Sequence, residues 1–176
     1  MEFLLSILKN EIFIQSVGFL GTILIVIGMQ SKIYDRVVFC KVSNELISGF
    51  HYLLLGSYTG MSLNLASCVA NTVYWVRIKK EKSTLPFQIV FGAVFMGLGF
   101  LSWHGWISIF AVIGKLLSTV ALGINNTKII RILNAISQPC WLIYNIYEFS
   151  LAGIVSSSLV WISVLAAIIR IDVLKK

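Results

Sequence analysis

The sequence predicts an all-α membrane protein: seven transmembrane helices, set as two parallel three-helix bundles joined by a linker helix. Three observations predict it. The 176-residue chain is 58% hydrophobic and 12% charged, and divides into seven mostly apolar stretches. A helix rising ~1.5 Å per residue needs ~20 residues to cross a ~30 Å hydrocarbon core, so each stretch is long enough to span. Basic residues crowd onto alternate connections. Two of the helices carry the same polar stripe, 93 residues apart.

The elements follow in chain order. The opening run to Phe13 contains Glu2, no basic leader and no small-residue cleavage site, which is unlike a cleaved signal peptide. Residues 2–10 are expected to form a short interfacial helix, with the first span, 12–30, acting as signal anchor. Ser31 to Arg36 lead to the second span, 37–55, with Lys32 and Tyr34 suited to the interface. Gly56-Ser57-Tyr58-Thr59 then makes a tight turn, because glycine tolerates the required backbone. The third span is 60–77, and these three form the first repeat, 12–77. The basic stretch from Ile78 to Thr84 ends at Leu85-Pro86, where proline suits the first turn of a helix. The fourth span, 85–102, carries Gly92, Gly97 and Gly99 but no strong polar group. It reads as the linker, with glycines that permit close helix contact. Trp103 and Trp106 flank an outer turn and fit an aromatic belt. The second repeat, 105–171, comprises spans 105–123, 128–148 and 151–171. Asn125-Asn126-Thr127 offers a helix stop and then an N-cap. The whole chain reads as a single transmembrane domain.

A formal charge of +7 on its own suggests a nucleic-acid surface, but its distribution argues against one. Lys32, Arg36, Arg77, Lys79, Lys80, Lys82, Lys128, Arg131, Arg170, Lys175 and Lys176 fall on one side, and Lys9 alone on the other. This positive-inside bias places the N-terminus outside and the C-terminus in the cytoplasm of a bacterial inner membrane. The basic groups then rest on anionic headgroups of the lipid bilayer. Cys40, Cys68 and Cys140 form no C-x-x-C pair and read as small buried hydrophobes. No metal, no cofactor and no enzymatic constellation is expected.

Residues 21–78 align with 114–171 without a gap. The identities are few, and near chance for so apolar a composition. The internal repeat rests on matched features instead: Ser-x-x-Gly before the third helix of each half, Arg-Ile at the end of each half, and the polar stripe in register. Lys41, Glu45, Ser48 and Tyr52 match Asn134, Gln138, Trp141 and Asn145. The four-three-four spacing aligns each set on one helical face. Polar groups at membrane depth usually face a bundle interior or a wet cavity.

Glu45 lies ~13 Å into its span, near the midplane. A carboxylate there must neutralise or find a cation. Lys41, one turn away, can pair with it or snorkel to the surface. Lys115, at similar depth in the other half, is the preferred partner. Whether such a pair is structural or contacts a solute stays open at this level. Asn64, Ser67 and Asn71 share a face of the third span, either as contacts for a hydroxylated or amide solute or as interhelical glue. Pro139 removes one helix hydrogen bond and crowds the carbonyl of Ala135, which makes it a candidate hinge or a static kink. Trp141, Tyr144 and Tyr147 add flat faces, with Tyr147 expected as an interface anchor and His51 expected to pack.

The segments Tyr52-Leu-Leu-Leu-Gly-Ser-Tyr-Thr-Gly-Met-Ser-Leu-Asn64 and Val112-Ile-Gly-Lys-Leu-Leu-Ser-Thr-Val-Ala-Leu122 resemble the YgjV family of bacterial inner-membrane proteins. More distantly, the plan is similar to the SWEET, PQ-loop and nicotinamide-riboside transporter superfamily, which joins two three-helix bundles through a linker. Trp141-Leu-Ile-Tyr144-Asn145 is similar to the W-x-x-Y-G of its middle helices, with Asn for Gly. The resemblance implies a solute-contacting role for Asn71, although Val164 occupies the matching position in the second half. Gln138-Pro139 resembles the superfamily's Pro-Gln pair in reversed order.

These readings converge on a carrier or facilitator of a small polar solute. The candidate substrate-binding residues are Glu45, Asn71, Lys115, Gln138, Trp141 and Asn145, with Pro139 as hinge. The alternative is a non-transporting membrane receptor, sensor or assembly partner. A cavity of ~300 Å³ or more near midplane would favour the carrier. The oligomeric state stays open, a homo-oligomer included.

Overall fold

The computed structural model describes residues 10–103 and 105–174. Seven α-helices and no strands occur among the described residues: α1 (Glu11–Met29), α2 (Tyr34–Leu54), α3 (Tyr58–Lys79), α4 (Leu85–Leu101), α5 (Ser108–Leu122), α6 (Thr127–Tyr147) and α7 (Leu151–Ala167). The interfacial helix expected over residues 2–10 falls almost wholly outside that range, as do Lys9, His104, Lys175 and Lys176.

Local sequence sets the boundaries. Asn10 caps α1, its side-chain oxygen accepting from the amides of Ile12 and Phe13. Asn126 does the same for α6 through Lys128 and Ile129, as the sequence indicates. Ser150 caps α7 by accepting from the Gly153 amide. Pro86 sits in the first turn of α4. Gly56 takes φ +74° at the α2–α3 turn, and Phe149 takes φ +52° at the corresponding α6–α7 turn. α5 begins later than expected, at Ser108, because Gly105 adopts φ +85° and delays the helix. α7 passes into a π-helical segment, Ile168–Val173, where the sequence indicated a uniform helix. α6 continues through Pro139 without interruption.

Neighbouring helices form a closed circuit. α1 packs on α2, α2 on α3, α3 on α5, α5 on α6, α6 on α7, and α7 returns to α1. α4 lies outside the circuit against α3 and α5, burying only Phe95 and Gly99 along its length. Of its three glycines only Gly99 marks a tight approach, since a Cβ there would overlap Val112, whereas one on Gly97 meets nothing within 4 Å. Gly97→Ala is therefore expected to stabilise the protein by roughly 0.5 kcal/mol through loss of backbone freedom in the unfolded chain. Gly99→Ala should lower the melting temperature. Thermal unfolding of the two variants in detergent checks the contrast.

Two apolar cores hold the circuit together. One gathers Ile25, Met29, Val37, Val38, Leu122, Ile130 and Val164 near the end that carries the basic loops. The other gathers Leu63, Tyr74, Phe95, Ile107, Trp141 and Tyr144. Between them the interior is polar: Lys41, Glu45, Asn64, Asn71, Lys115, Asn134, Gln138 and Asn145 are all buried. The outer surface is the reverse, with Phe39, Leu46, Val69, Phe100, Ile136 and Ile162 exposed. Two helical stretches, Glu11–Met29 and Leu151–Val173, are long and apolar enough by themselves to cross a membrane. α4 and α5 are apolar but shorter.

Candidate functional site

The polar stripes of α2 and α6 meet at the centre of the circuit. Tyr52, the last member of the first stripe, donates its hydroxyl to Asn145 Oδ1, the last member of the second, at 2.5 Å. Asn145 Nδ2 in turn donates to Ser157 Oγ of α7 at 2.9 Å. Small residues admit these side chains. A Cβ on Gly60 would strike the Tyr52 ring, and a Cβ on Gly153 would lie 2.3 Å from Asn145 Oδ1. A Cβ on Gly21 would lie 2.9 Å from Asn44 Nδ2, and one on Gly114 would lie 3.0 Å from the Trp141 ring.

A second layer of bonds closes the end opposite the basic loops. His51 Nδ1 lies 2.9 Å from the carbonyl of Ile14, and its Nε2 lies 3.0 Å from Ser150 Oγ. A carbonyl only accepts, so Nδ1 carries the proton and Nε2 accepts from the Ser150 hydroxyl. His51 thus ties α1, α2 and the α6–α7 turn together rather than simply packing. Tyr144 does the corresponding work at the α2–α3 turn: its hydroxyl lies 2.7 Å from Ser57 Oγ and accepts from the Gly60 amide at 3.0 Å.

Glu45 is fully buried and held from three directions. Ser67 donates to Oε1, Asn71 Nδ2 donates to Oε2 at 2.7 Å, and Lys115 Nζ stands 3.5 Å from Oε1. Lys115 is the preferred partner from sequence, and the structure brings it there from α5. Its ammonium also donates to Asn64 Oδ1 at 2.9 Å and faces the Trp141 ring at 5.1 Å. Lys41 does not snorkel: it is 6% exposed and lines the central cavity.

That cavity measures about 60 Å³, well under a ligand pocket of ~300 Å³. Lys115, Gln138, Trp141 and Asn145 line it, together with Lys41, Ser48, His51, Tyr52 and Asn64. Glu45 and Asn71, also singled out from sequence, are not part of the wall; Asn71 spends its amide on Glu45 and Ser67. Lys41, Ser48 and Tyr52 belong to the stripe, so the helical spacing could have nominated them. The same spacing could have nominated Asn44, which stands between Lys41 and Ser48 on that face, whereas Ser156 and Ser157 had no comparable signal. Pro139 adjoins Gln138 on α6, and nearby Asn134 Oδ1 and Ser137 Oγ are buried without hydrogen-bond partners, as are Asn71 Oδ1 and Tyr74 OH on α3.

The basic end is closed by a different device. Arg131 Nε and Nη2 grip both oxygens of Asp172 at 2.8 and 2.5 Å, and Nη1 donates to the Ser31 carbonyl. Arg131 is therefore a buried clamp rather than the headgroup contact its position suggests. Tyr34 likewise leaves the interface to donate to the Leu122 carbonyl at 2.6 Å. Asp35 remains at the surface, where the Trp75 indole donates to it at 2.7 Å and Lys79 lies 3.4 Å away. The Trp75 bond, then Lys79, hold its carboxyl below the ordinary range. A depressed carboxyl stabilises above its unfolded pKa of ~3.9 and loses that contribution as pH falls below it. Melting curves between about pH 5 and pH 2.5 should show a small acid loss that is weaker in Asp35→Asn.

Cys40 is buried, while Cys68 and Cys140 are half-buried, and all three are free. Among the described residues no cluster of His, Cys, Asp or Glu has the makings of a metal site.

A helical chain that turns isoleucine and phenylalanine outward and buries the Glu45–Lys115 and Arg131–Asp172 pairs is built to sit in a bilayer, where backbone and charge must be satisfied internally. The fold and site thus define an integral membrane protein. The chain belongs to the Imp-YgjV family of bacterial inner membrane proteins, whose model matches residues 12–175. It is similar to the inner membrane protein YgjV of Escherichia coli (strain K12), with 28% identity over 124 residues. That match covers 70% of this chain and 60% of the relative, so the relative has a substantial part with no counterpart in the match. No solved structure matches the chain.

Proposed function

We propose that the protein is a carrier or facilitator of a small polar solute across the bacterial inner membrane. The observation that carries this reading is the central cavity, walled by the polar stripes of α2 and α6 together. All seven helices would cross the bilayer, as two parallel triplets, α1–α3 and α5–α7, with α4 as linker. One paired close approach supports the repeat: Gly60 admits Tyr52 and Gly153 admits Asn145, at matching positions of the two halves. The positive-inside bias supports an outer N-terminus and a cytoplasmic C-terminus.

At about 60 Å³ the cavity is smaller than the ~300 Å³ that favours a carrier, so this reading requires a second, wider arrangement. Opening toward the basic end would separate Arg131 from Asp172 and bring water to Asn71, Tyr74, Asn134 and Ser137. Each buried polar atom without a partner costs roughly 1–3 kcal/mol, which favours a second, wetted arrangement. Pro139 lies where α6 would bend.

A second reading draws on the same closure. Tyr52–Asn145, Tyr144–Ser57 and His51–Ser150 lock the opposite end by hydrogen bonds, as in a non-transporting receptor, sensor or assembly partner. Uptake of labelled sugars, amino acids and short organic acids into reconstituted vesicles separates the two. Uptake that falls at least tenfold in Gln138→Leu is expected of the carrier. No movement of any solute, with the protein folded and inserted, supports the second reading.

A further inference from the structure

Within the carrier reading, we propose that the central cavity is an anion site, selecting a small solute that bears one carboxylate, and that Lys41 and Gln138 hold it.

The charges within the circuit do not balance. Lys41, Glu45 and Lys115 are its buried charged side chains at the level of the cavity, two cations against one anion, because His51 in the same wall holds its bonds to Ile14 and Ser150 as a neutral ring. Glu45 is committed to Lys115, Ser67 and Asn71. The other buried cation, Arg131, is neutralised by Asp172 near the basic end. Lys41 is left over. It makes no hydrogen bond and no ion pair among the described residues, although it is 6% exposed. The Gln138 side chain, 7% exposed, is likewise without a hydrogen bond. Both line the same cavity, from α2 and from α6.

An unpaired buried ammonium is among the most expensive groups a protein can hold, and a bound anion removes the penalty. Gln138 supplies neutral N–H donors, the second element a carboxylate needs for both of its oxygens. Size narrows the class. At ~10–15 Å³ of such volume per water, a cavity of about 60 Å³ holds roughly four to six waters, which matches a two- or three-carbon carboxylate and excludes a hexose in this state. The Trp141 face is already turned to Lys115, so it is not free to stack on a ring.

The probe is acetate, with acetamide as its neutral isostere. The full chain, purified in detergent, is melted in sodium gluconate, whose six-carbon anion exceeds the cavity, with acetate or acetamide replacing part of it at constant ionic strength. Acetate at ten times its Kd should raise the melting temperature by about 3 °C, and acetamide should not. Lys41→Met should lose the acetate response while melting, without acetate, no lower than the parent, because it discards an unpaired charge. Should that variant fail to fold, Lys41→Arg is expected to keep the response and Lys41→Gln to lose it. Equal stabilisation by acetamide, or an acetate response that survives neutralisation of Lys41, overturns the proposal. The carrier reading is judged separately in vesicles. Stabilisation by acetate through Lys41 with no uptake of any solute leaves the anion site standing and removes the carrier. Uptake of a neutral sugar without any acetate response does the opposite.

Discussion

Lys115→Met is expected to leave the protein barely folded. Glu45 is completely buried, and Lys115 supplies its positive charge from 3.5 Å. Removing one member of a buried pair strands the other, at a cost of roughly 3–5 kcal/mol. Total stabilities are themselves only ~5–15 kcal/mol, so the loss is a large fraction of the whole. Ser67 and Asn71 would still bond to the carboxylate, but two neutral donors do not replace a cation. The double variant Glu45→Gln, Lys115→Met removes both charges and should recover most of the lost stability. Chemical unfolding in detergent, followed by tryptophan fluorescence, measures both. A single variant as stable as the parent would mean that the carboxylate is already protonated, and the account of the buried pair would fail.

Gly153→Val is the second large effect. The first added carbon would sit 2.3 Å from Asn145 Oδ1 and 2.6 Å from Ser150 Oγ. Neither atom is free to withdraw. Asn145 is fixed at both ends of its amide, by the Tyr52 hydroxyl and by Ser157, while Ser150 bonds to His51 and to the Gly153 amide. The overpacking strain of ~1–3 kcal/mol therefore comes with the loss of buried hydrogen bonds. A drop in melting temperature of about 5 °C or more is expected, with exposure of the α6–α7 turn to hydrogen exchange. The same substitution at Gly97, whose Cβ position is open, should be close to neutral.

The helices were readable because their signals are local. Apolar run length, Asn126 as a cap, Pro86 in a first turn and Gly56 at positive φ each depend on a few neighbouring residues. The interior faces of α2 and α6 were readable for the same reason, since a four-three-four spacing fixes which side chains share a side of a helix. Contacts between distant segments were harder. The Glu45–Lys115 pairing could be reached by asking which cation had no easy way to water. The Arg131–Asp172 clamp could not, because both are charged residues near the basic ends of their helices, where exposure is the ordinary expectation, and the burial that makes them a pair arises only from packing. Asn71 shows the same dependence on distant segments. Its depth pointed to the cavity, but the direction of its amide is set by Glu45, a residue on another helix.

By itself the sequence determined an all-helical, membrane-suited chain with a polar stripe on each of two helices, because helical periodicity and hydrophobic run length are properties of contiguous residues. Only the tertiary structure decided that the stripes meet, that Glu45 and Asn71 stand behind the cavity wall, and that Lys41 is left without a partner inside it. Those outcomes depend on how α2, α3, α5 and α6 approach one another, and on the close contacts that Gly21, Gly60, Gly114 and Gly153 allow. In a close-packed interior such distances decide which polar group reaches which partner, and no spacing along the chain encodes them.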